Sequence, residues 1–208
     1  TSVIVSIIIF KLSKSGNKSD ITTLLIIGIA ISSFLGAFTS FAMYLIGENS
    51  FKIVTWMMGY LGSATWEKIV ILLFPLIVSV FYFFAKRHEL DLLLSGDEEA
   101  HALGVNVEKL KKRMLVVASL IVGFSVAFTG MIGFVGLIVP HTMRLLTKSS
   151  SNTRLIPLAS IGGGVFLLFC DTIGRTIIAP VEIPIGVVTS FFGAPFFLYL
   201  AMRSKKGG

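Results

Sequence analysis

Two stretches of this chain hold no charged side chain over a length that only a lipid bilayer asks for. "TTLLIIGIAISSFLGAFTSFAMYLIG" (22–47) and "IVILLFPLIVSVFYFFA" (69–85) are continuous apolar runs. Each approaches or reaches the roughly 17–25 residues that a helix needs to cross the hydrocarbon core. The runs do not alternate apolar with polar, which argues against a transmembrane β-barrel. Charged residues make up 14% of the chain, against about 25% in a soluble domain. An all-α, polytopic transmembrane bundle is the expected fold class.

Punctuation between the runs yields an expected order of spans. A remnant of one span ends near residue 10, and a lysine-bearing loop covers 11–20. Spans follow at about 21–47, 69–86, 114–129, 133–147, 155–178 and 187–202. The mixed segment 48–68 carries Trp56 and Trp66, residues that favour the membrane–water boundary, and has room for a short interfacial or capping helix. The chain starts without Met in mid-apolar run, and its basic residues follow that run. A signal peptide has the opposite order, so the expectation is a fragment of a longer protein.

If the spans alternate, 15 of the 18 lysines and arginines fall on one side, leaving Lys52, Lys68 and Arg175 on the other. The positive-inside bias assigns the basic side to the cytoplasm, and a multi-pass protein of the cell membrane is the expectation. The net charge of +7 thus belongs to loops beside lipid, and nucleic acid is not an expected partner. Cys170 is the single cysteine, so neither a disulfide framework nor a Cys-based metal cluster arises. No cofactor or metal is expected.

The largest polar segment, about 87–113, is punctuated. Ser95 followed by Glu98 has capping-box spacing. Asp97, Glu98 and Glu99 suit the positive end of a helix dipole. Gly104 suits a helix stop, and Asn106 suits the start of a second helix leading into the next span. Helices this short are marginal alone in water. Such a pair is therefore either a docking element or a connector packed on its own bundle. His101 reads as a surface residue.

"GFVGLIVPHTMR" (133–144) concentrates costly residues in an apolar tract. Gly130, Gly133 and Gly136 recur every three residues, a spacing that lets backbones approach in membranes. Pro140 needs neighbours that satisfy the carbonyl it leaves free. With His141 and Arg144 nearing the basic side, these residues predict a short or re-entrant helix buried among others. Asp171 and Arg175 stand four apart and predict an i,i+4 pair. Span 21–47 is rich in small and hydroxyl residues, among them Gly28, Ser32, Ser33, Gly36, Thr39 and Ser40. They suit either helix packing or the lining of a pathway.

"GMIGFVGLIVPHTMRLL" (130–146) resembles the most recognisable motif of the FecCD-type permeases, the membrane subunits of ABC importers for iron–siderophore complexes, haem and vitamin B12. "RLIPLASIGGGVFLLFCDTIGRTI" (154–177), "PVEIPIGVVTSFFGAPFFLYL" (180–200), "SGDEEAHALGVNVEKLK" (95–111) and "WMMGYLGSATW" (56–66) resemble further blocks of the family. The resemblance implies one transmembrane permease domain over 1–208 with the type II importer fold, carrying spans five to ten of ten. It implies three kinds of partner: a second permease subunit, cytoplasmic ATPase subunits and an extracytoplasmic binding protein. ATP hydrolysis would lie on the ATPase, and the chain contains no G-x-x-x-x-G-K-[ST] loop.

By the same resemblance, Gly96, Glu98, Ala100, Leu103 and Gly104 form the core of an ATPase-coupling element. Arg175 meets an acid of the binding protein, and Glu182 and Pro184 shape the turn before the last span. Ser32, Ser33, Gly36 and Ser40 lie on the pathway or the permease–permease interface. Two other classes remain open. An ion-coupled secondary transporter would want charges near mid-membrane. An intramembrane enzyme would use His141, Asp171 or Glu182, but neither H-E-x-x-H nor G-x-S-x-G is present.

Overall fold

The computed structural model describes residues 3, 5–8, 14–15, 18–19 and 21–204. Lys11, Lys205 and Lys206, counted above on the basic side, lie outside the described residues. Two dipeptides, β1 (Lys14–Ser15) and β2 (Lys18–Ser19), pair antiparallel. All other regular structure among the described residues is helical.

The charge-free run 22–47 becomes α1 (Ile21–Ile46). A 3-10 turn, Gly47–Ser50, and the short α2 (Phe51–Met57) follow. α3 (Trp66–Ala85) starts at Thr65, whose hydroxyl accepts from the Lys68 amide. The expected polar segment holds α4 (Arg87–Leu93), α5 (Asp97–Ala102) and the start of α6 (Val107–Thr129). Then come α7 (Val135–Thr147), α8 (Asn152–Thr176) and α9 (Ile185–Ser204). Among the described residues four helices are long and apolar enough to cross a membrane, namely α3, α6, α8 and the Leu25–Ile46 part of α1, and Ile185–Leu200 is a shorter apolar stretch. The bundle is all-α and polytopic.

α8 is the axis of the packing: α7, α9, α3 and α4 all lie against it, and α3 also packs on α6. Connectivity gathers Lys86, Arg87, Lys109, Lys111, Lys112, Arg113, Lys148 and Arg154 at one end of the bundle, with Arg144 in the last turn of α7. Lys52, Lys68 and Arg175 lie at the other. The polarity inferred from the loops is thus a property of the fold.

Three expectations need correction. Ser95 does not cap α5. The amides of Ser95 and Gly96 still donate to Leu92 and Leu93 of α4 (3.2 and 3.3 Å), a helix not expected from the sequence, so the N-cap of α5 falls to Gly96. The second short helix is no separate piece, because α6 runs unbroken from Val107 to Thr129. α7 is not enclosed: Val139 is buried, while Leu137, Leu145 and Leu146 are exposed.

The Asn106 cap is as expected, with Oδ1 accepting from the Lys109 amide at 3.0 Å. Replacing Asn106 by Ala should destabilise α6 by about 1 kcal/mol. A lowered thermal midpoint of the detergent-solubilised protein would register it, and an unchanged midpoint would contradict it.

Candidate functional site

Two groups of side chains stand out, at opposite ends of α8. With 25 residues, that helix is about 37 Å long.

At the basic end, α5 closes in a Schellman motif. The Gly104 amide donates to His101 O and the Val105 amide to Ala100 O, both at 3.0 Å, with Gly104 at φ +87°. The chain reversal tucks Val105 under α5. There it forms a small core with Ala100, Val107 and Leu110, against which Leu92, Leu93 and Met114 pack. A salt bridge from Lys111 to Asp97 ties α6 to α5. The result is a stiff knob whose outer surface carries Glu98, Leu94 (55% exposed) and Leu103 (65% exposed). Of the five residues expected to form the core of the coupling element, Ala100 is fully buried and holds the shape, and Gly96 and Gly104 serve the turns. Glu98 and Leu103 remain as surface.

Asp91 of α4 was not picked out from the sequence. Its Oδ1 accepts from the backbone amide of Asn152 at 2.6 Å and from Asn152 Nδ2 at 2.8 Å. Its Oδ2 accepts from Ser151 Oγ at 3.1 Å. Ser151, the N-cap of α8, makes no capping bond of its own. The helix start is therefore capped from another element, 61 residues away in sequence. No local spacing signals such a contact.

At the opposite end, Arg175 Nε donates to Asp171 Oδ2 at 2.8 Å, as the spacing predicts. Arg175 Nη1 also reaches Glu182 Oε1 at 3.5 Å. Tyr60, from the loop before α3, joins this group: hydrogen bonding with Glu182, and then the charge of that carboxylate, raise the phenol above its ordinary value. Pro184 immediately precedes α9, and its carbonyl accepts from the Val187 amide at 3.0 Å. The Ile183 amide donates to Gly174 O at 2.9 Å, fixing the turn 177–184 against the end of α8.

Beside this cluster three backbones converge. The Tyr60 amide donates to Thr129 O (2.9 Å), and the Gly186 amide to Met58 O (3.0 Å). A Cβ placed on Gly130 would lie 2.1 Å from Trp56 O, and one on Gly186 would lie 2.3 Å from Met58 O. A cleft of about 450 Å³ opens here, lined by Met57, Met58, Met131, Gly133, Gly186, Val187 and Ser190.

The three-residue glycine spacing is only partly explained by packing. Gly130 is at a close approach, but a Cβ at Gly133 or Gly136 would meet nothing within 4 Å. The contact that seats α7 on α8 comes from elsewhere: a Cβ at Gly162 would press Met143 Cε (2.7 Å) and Val139 Cγ1 (3.2 Å). His141 packs edge-on against Phe196 of α9, ring centroids 5.8 Å apart. Pro140 is half-buried inside α7 and Arg144 is exposed in its last turn. On α1, Ser32, Ser33, Gly36 and Ser40 are exposed, and a Cβ at Gly28 or Gly36 would meet nothing. Packing among the described residues does not account for them. His141 on α7 packs on Phe196, whereas Asp171 near the end of α8 and Glu182 in the turn before α9 meet at Arg175.

Similarity to characterised proteins agrees with this architecture. The chain is 38% identical to the hemin transport system permease protein HmuU of Yersinia pestis over 206 residues, covering 99% of this chain and 61% of that protein. It is 37% identical to the cobalamin import system permease protein BtuC of Halobacterium salinarum, covering 96% of this chain and 53% of that protein. It is 31% identical to the molybdate import system permease protein MolB of Haemophilus influenzae, covering 97% and 60%. The chain thus spans between half and two thirds of the length of these relatives. A solved metal-chelate type ABC transporter in an inward-facing conformation superposes with a TM-score of 0.83 at 29% identity, over 97% of this chain and 63% of that one. The FecCD transport family matches residues 1–203. With four apolar helices able to span and permeases as relatives, this is a multi-pass protein of the cell membrane, and it belongs to the FecCD transport family.

Proposed function

We propose that the protein is a permease subunit of an ATP-driven importer that moves a metal chelate of the haem, cobalamin or iron–siderophore type across the cytoplasmic membrane. One observation carries the reading beyond family membership. The α4–α5 knob has its own core and presents bare leucines at the basic end, which suits a rigid element seated in a cytoplasmic ATPase. A floppy loop could not bias a two-state bundle.

At the other end, the Arg175 group faces the side where a binding protein would deliver cargo. Arg175 is already engaged by Asp171 and Glu182. A docking carboxylate would therefore exchange partners with this network. The exposed α1 face, with Ser32, Ser33, Gly36 and Ser40, suits a second permease subunit or the pathway wall.

The test is uptake by proteoliposomes containing the permease with its ATPase and binding protein. Uptake of a labelled chelate should require ATP and should survive collapse of the proton gradient. Uptake driven by the gradient without ATP would overturn the reading in favour of a secondary transporter.

A further inference from the structure

We propose that Asp91 is the joint through which the cytoplasmic knob moves α8, and hence the residue that makes nucleotide-driven motion reach the Arg175 end. The inference rests on the permease reading above.

The argument starts from how the knob is attached. α4, α5 and the first turns of α6 share one core through Leu92, Leu93, Ala100, Val105, Val107 and Leu110, so they move as a unit. The chain leaves this unit in two directions, through Lys86 into α3 and through α6 itself. Neither covalent path leads directly to α8, since α6 reaches it only through α7. α4 nevertheless lies against α8, and the polar link between them is the Asp91 carboxylate, bonded to the Asn152 amide, the Asn152 side chain and the Ser151 hydroxyl.

The bonding suits a mechanical role. The first amides of a helix have no partner within it, and the helix dipole favours a negative charge at that end. Asp91 satisfies both with charge-assisted hydrogen bonds, the short and directional kind. Both of its oxygens are used, which fixes the carboxylate in orientation as well as position. At the far end of the same rod stand Asp171 and Arg175, and Gly174 O holds the turn into α9. A displacement of the knob is thus passed to the start of α8 and along that continuous helix, Pro157 and Gly162–Gly164 included, to the cluster around Tyr60 and Glu182.

The experiment uses the assembled importer with its ATPase and binding protein. Three quantities are read: ATPase retained on the permease, ATP hydrolysed with and without loaded binding protein, and chelate taken up per ATP. Asp91→Ala should retain the ATPase and its basal hydrolysis. It should lose stimulation by the binding protein and drop uptake per ATP at least tenfold. Asp91→Asn keeps one acceptor for the Asn152 amide and should recover uptake per ATP to within a few-fold of the parent. The double variant Ser151→Ala/Asn152→Ala removes the same side-chain bonds from the α8 side. Adding Asp91→Ala to it should cost little more than either change alone, because the groups act as one unit.

Unchanged uptake per ATP in Asp91→Ala overturns the joint. Should that variant fail to assemble, Asp91→Asn and Ser151→Ala decide: a graded loss of uptake per ATP supports the joint, and parental ratios in both overturn it. Parent protein whose uptake ignores ATP would instead overturn the permease reading itself, before any variant is compared.

Discussion

Gly130→Ala should be the most damaging single methyl addition in the chain. Gly130 sits at φ +70°, ψ −168°, a region populated almost solely by glycine, where another residue costs on the order of 1–3 kcal/mol. The added Cβ would also lie 2.1 Å from Trp56 O and 3.1 Å from the Gly59 Cα. Both are backbone atoms, so no side-chain rotation relieves the contact. Displacing α2 would disturb the Tyr60–Thr129 and Gly186–Met58 hydrogen bonds beside it. Strain and overpacking together should reach about 3 kcal/mol or more. The expected readout is loss of folded protein, or a sharply lowered thermal midpoint in detergent. Gly133→Ala and Gly136→Ala provide the comparison, since neither added Cβ meets anything within 4 Å. Inside α7, Ala at 136 should even help, by up to about 1 kcal/mol of helix propensity. Equal damage at all three positions would show that the close approach at Gly130 is not what matters.

Leu103→Asp should leave the fold intact and abolish docking of the ATPase. Leu103 is 65% exposed on the knob, and an exposed substitution of this kind is usually within about 0.5 kcal/mol for stability. In a docked complex the same side chain would be an apolar anchor. A charge buried there should weaken binding by about 2 kcal/mol or more, roughly thirtyfold. Combining it with Glu98→Ala should deepen the loss. Val105→Asp is the opposite control, because Val105 is buried beneath α5 and its replacement should unfold the knob. The measurement is ATPase retained on affinity-purified permease, beside the amount of permease inserted in membranes. Full retention in Leu103→Asp would remove the knob from the interface.

What could be read ahead of the structure follows from the range of the interactions involved. Spans 21–47 and 69–86 were legible because a charge-free run of that length has few other folds. The stop at Gly104 and the start at Asn106 were legible because capping bonds join residues three to five apart. The pair Asp171–Arg175 was legible for the same reason, being one helical turn. α4 was missed: "RHELDLL" is charged and short, and it is ordered by packing Leu92 and Leu93 on a core assembled from α5 and α6. Its presence displaced the expected Ser95 cap. Asp91 was missed because its partners are 61 residues downstream. The glycines show the same limit from the other side. A three-residue repeat names a helix stripe, but whether a backbone approaches Gly130, Gly162 or Gly186 depends on elements the repeat does not contain.

Among the described residues most of the buried apolar side chains gather in two knots rather than one. The first joins Ala100, Val105, Val107 and Leu110 at the basic end. The second joins Cys170, Ile185 and Val188 near the Arg175 end, with Leu61, Ile132, Phe166 and Ile183 against it. Between them α1, α3 and α6 hold few buried residues, Ser79 and Ser119 among them. The waist is held instead by backbone bonds in water-free hydrocarbon, so amide exchange should be slowest along the spans and faster at the two ends of the bundle. Helices whose buried side chains lie mostly near their ends, with lipid along much of their length, can tilt without losing their backbone bonds.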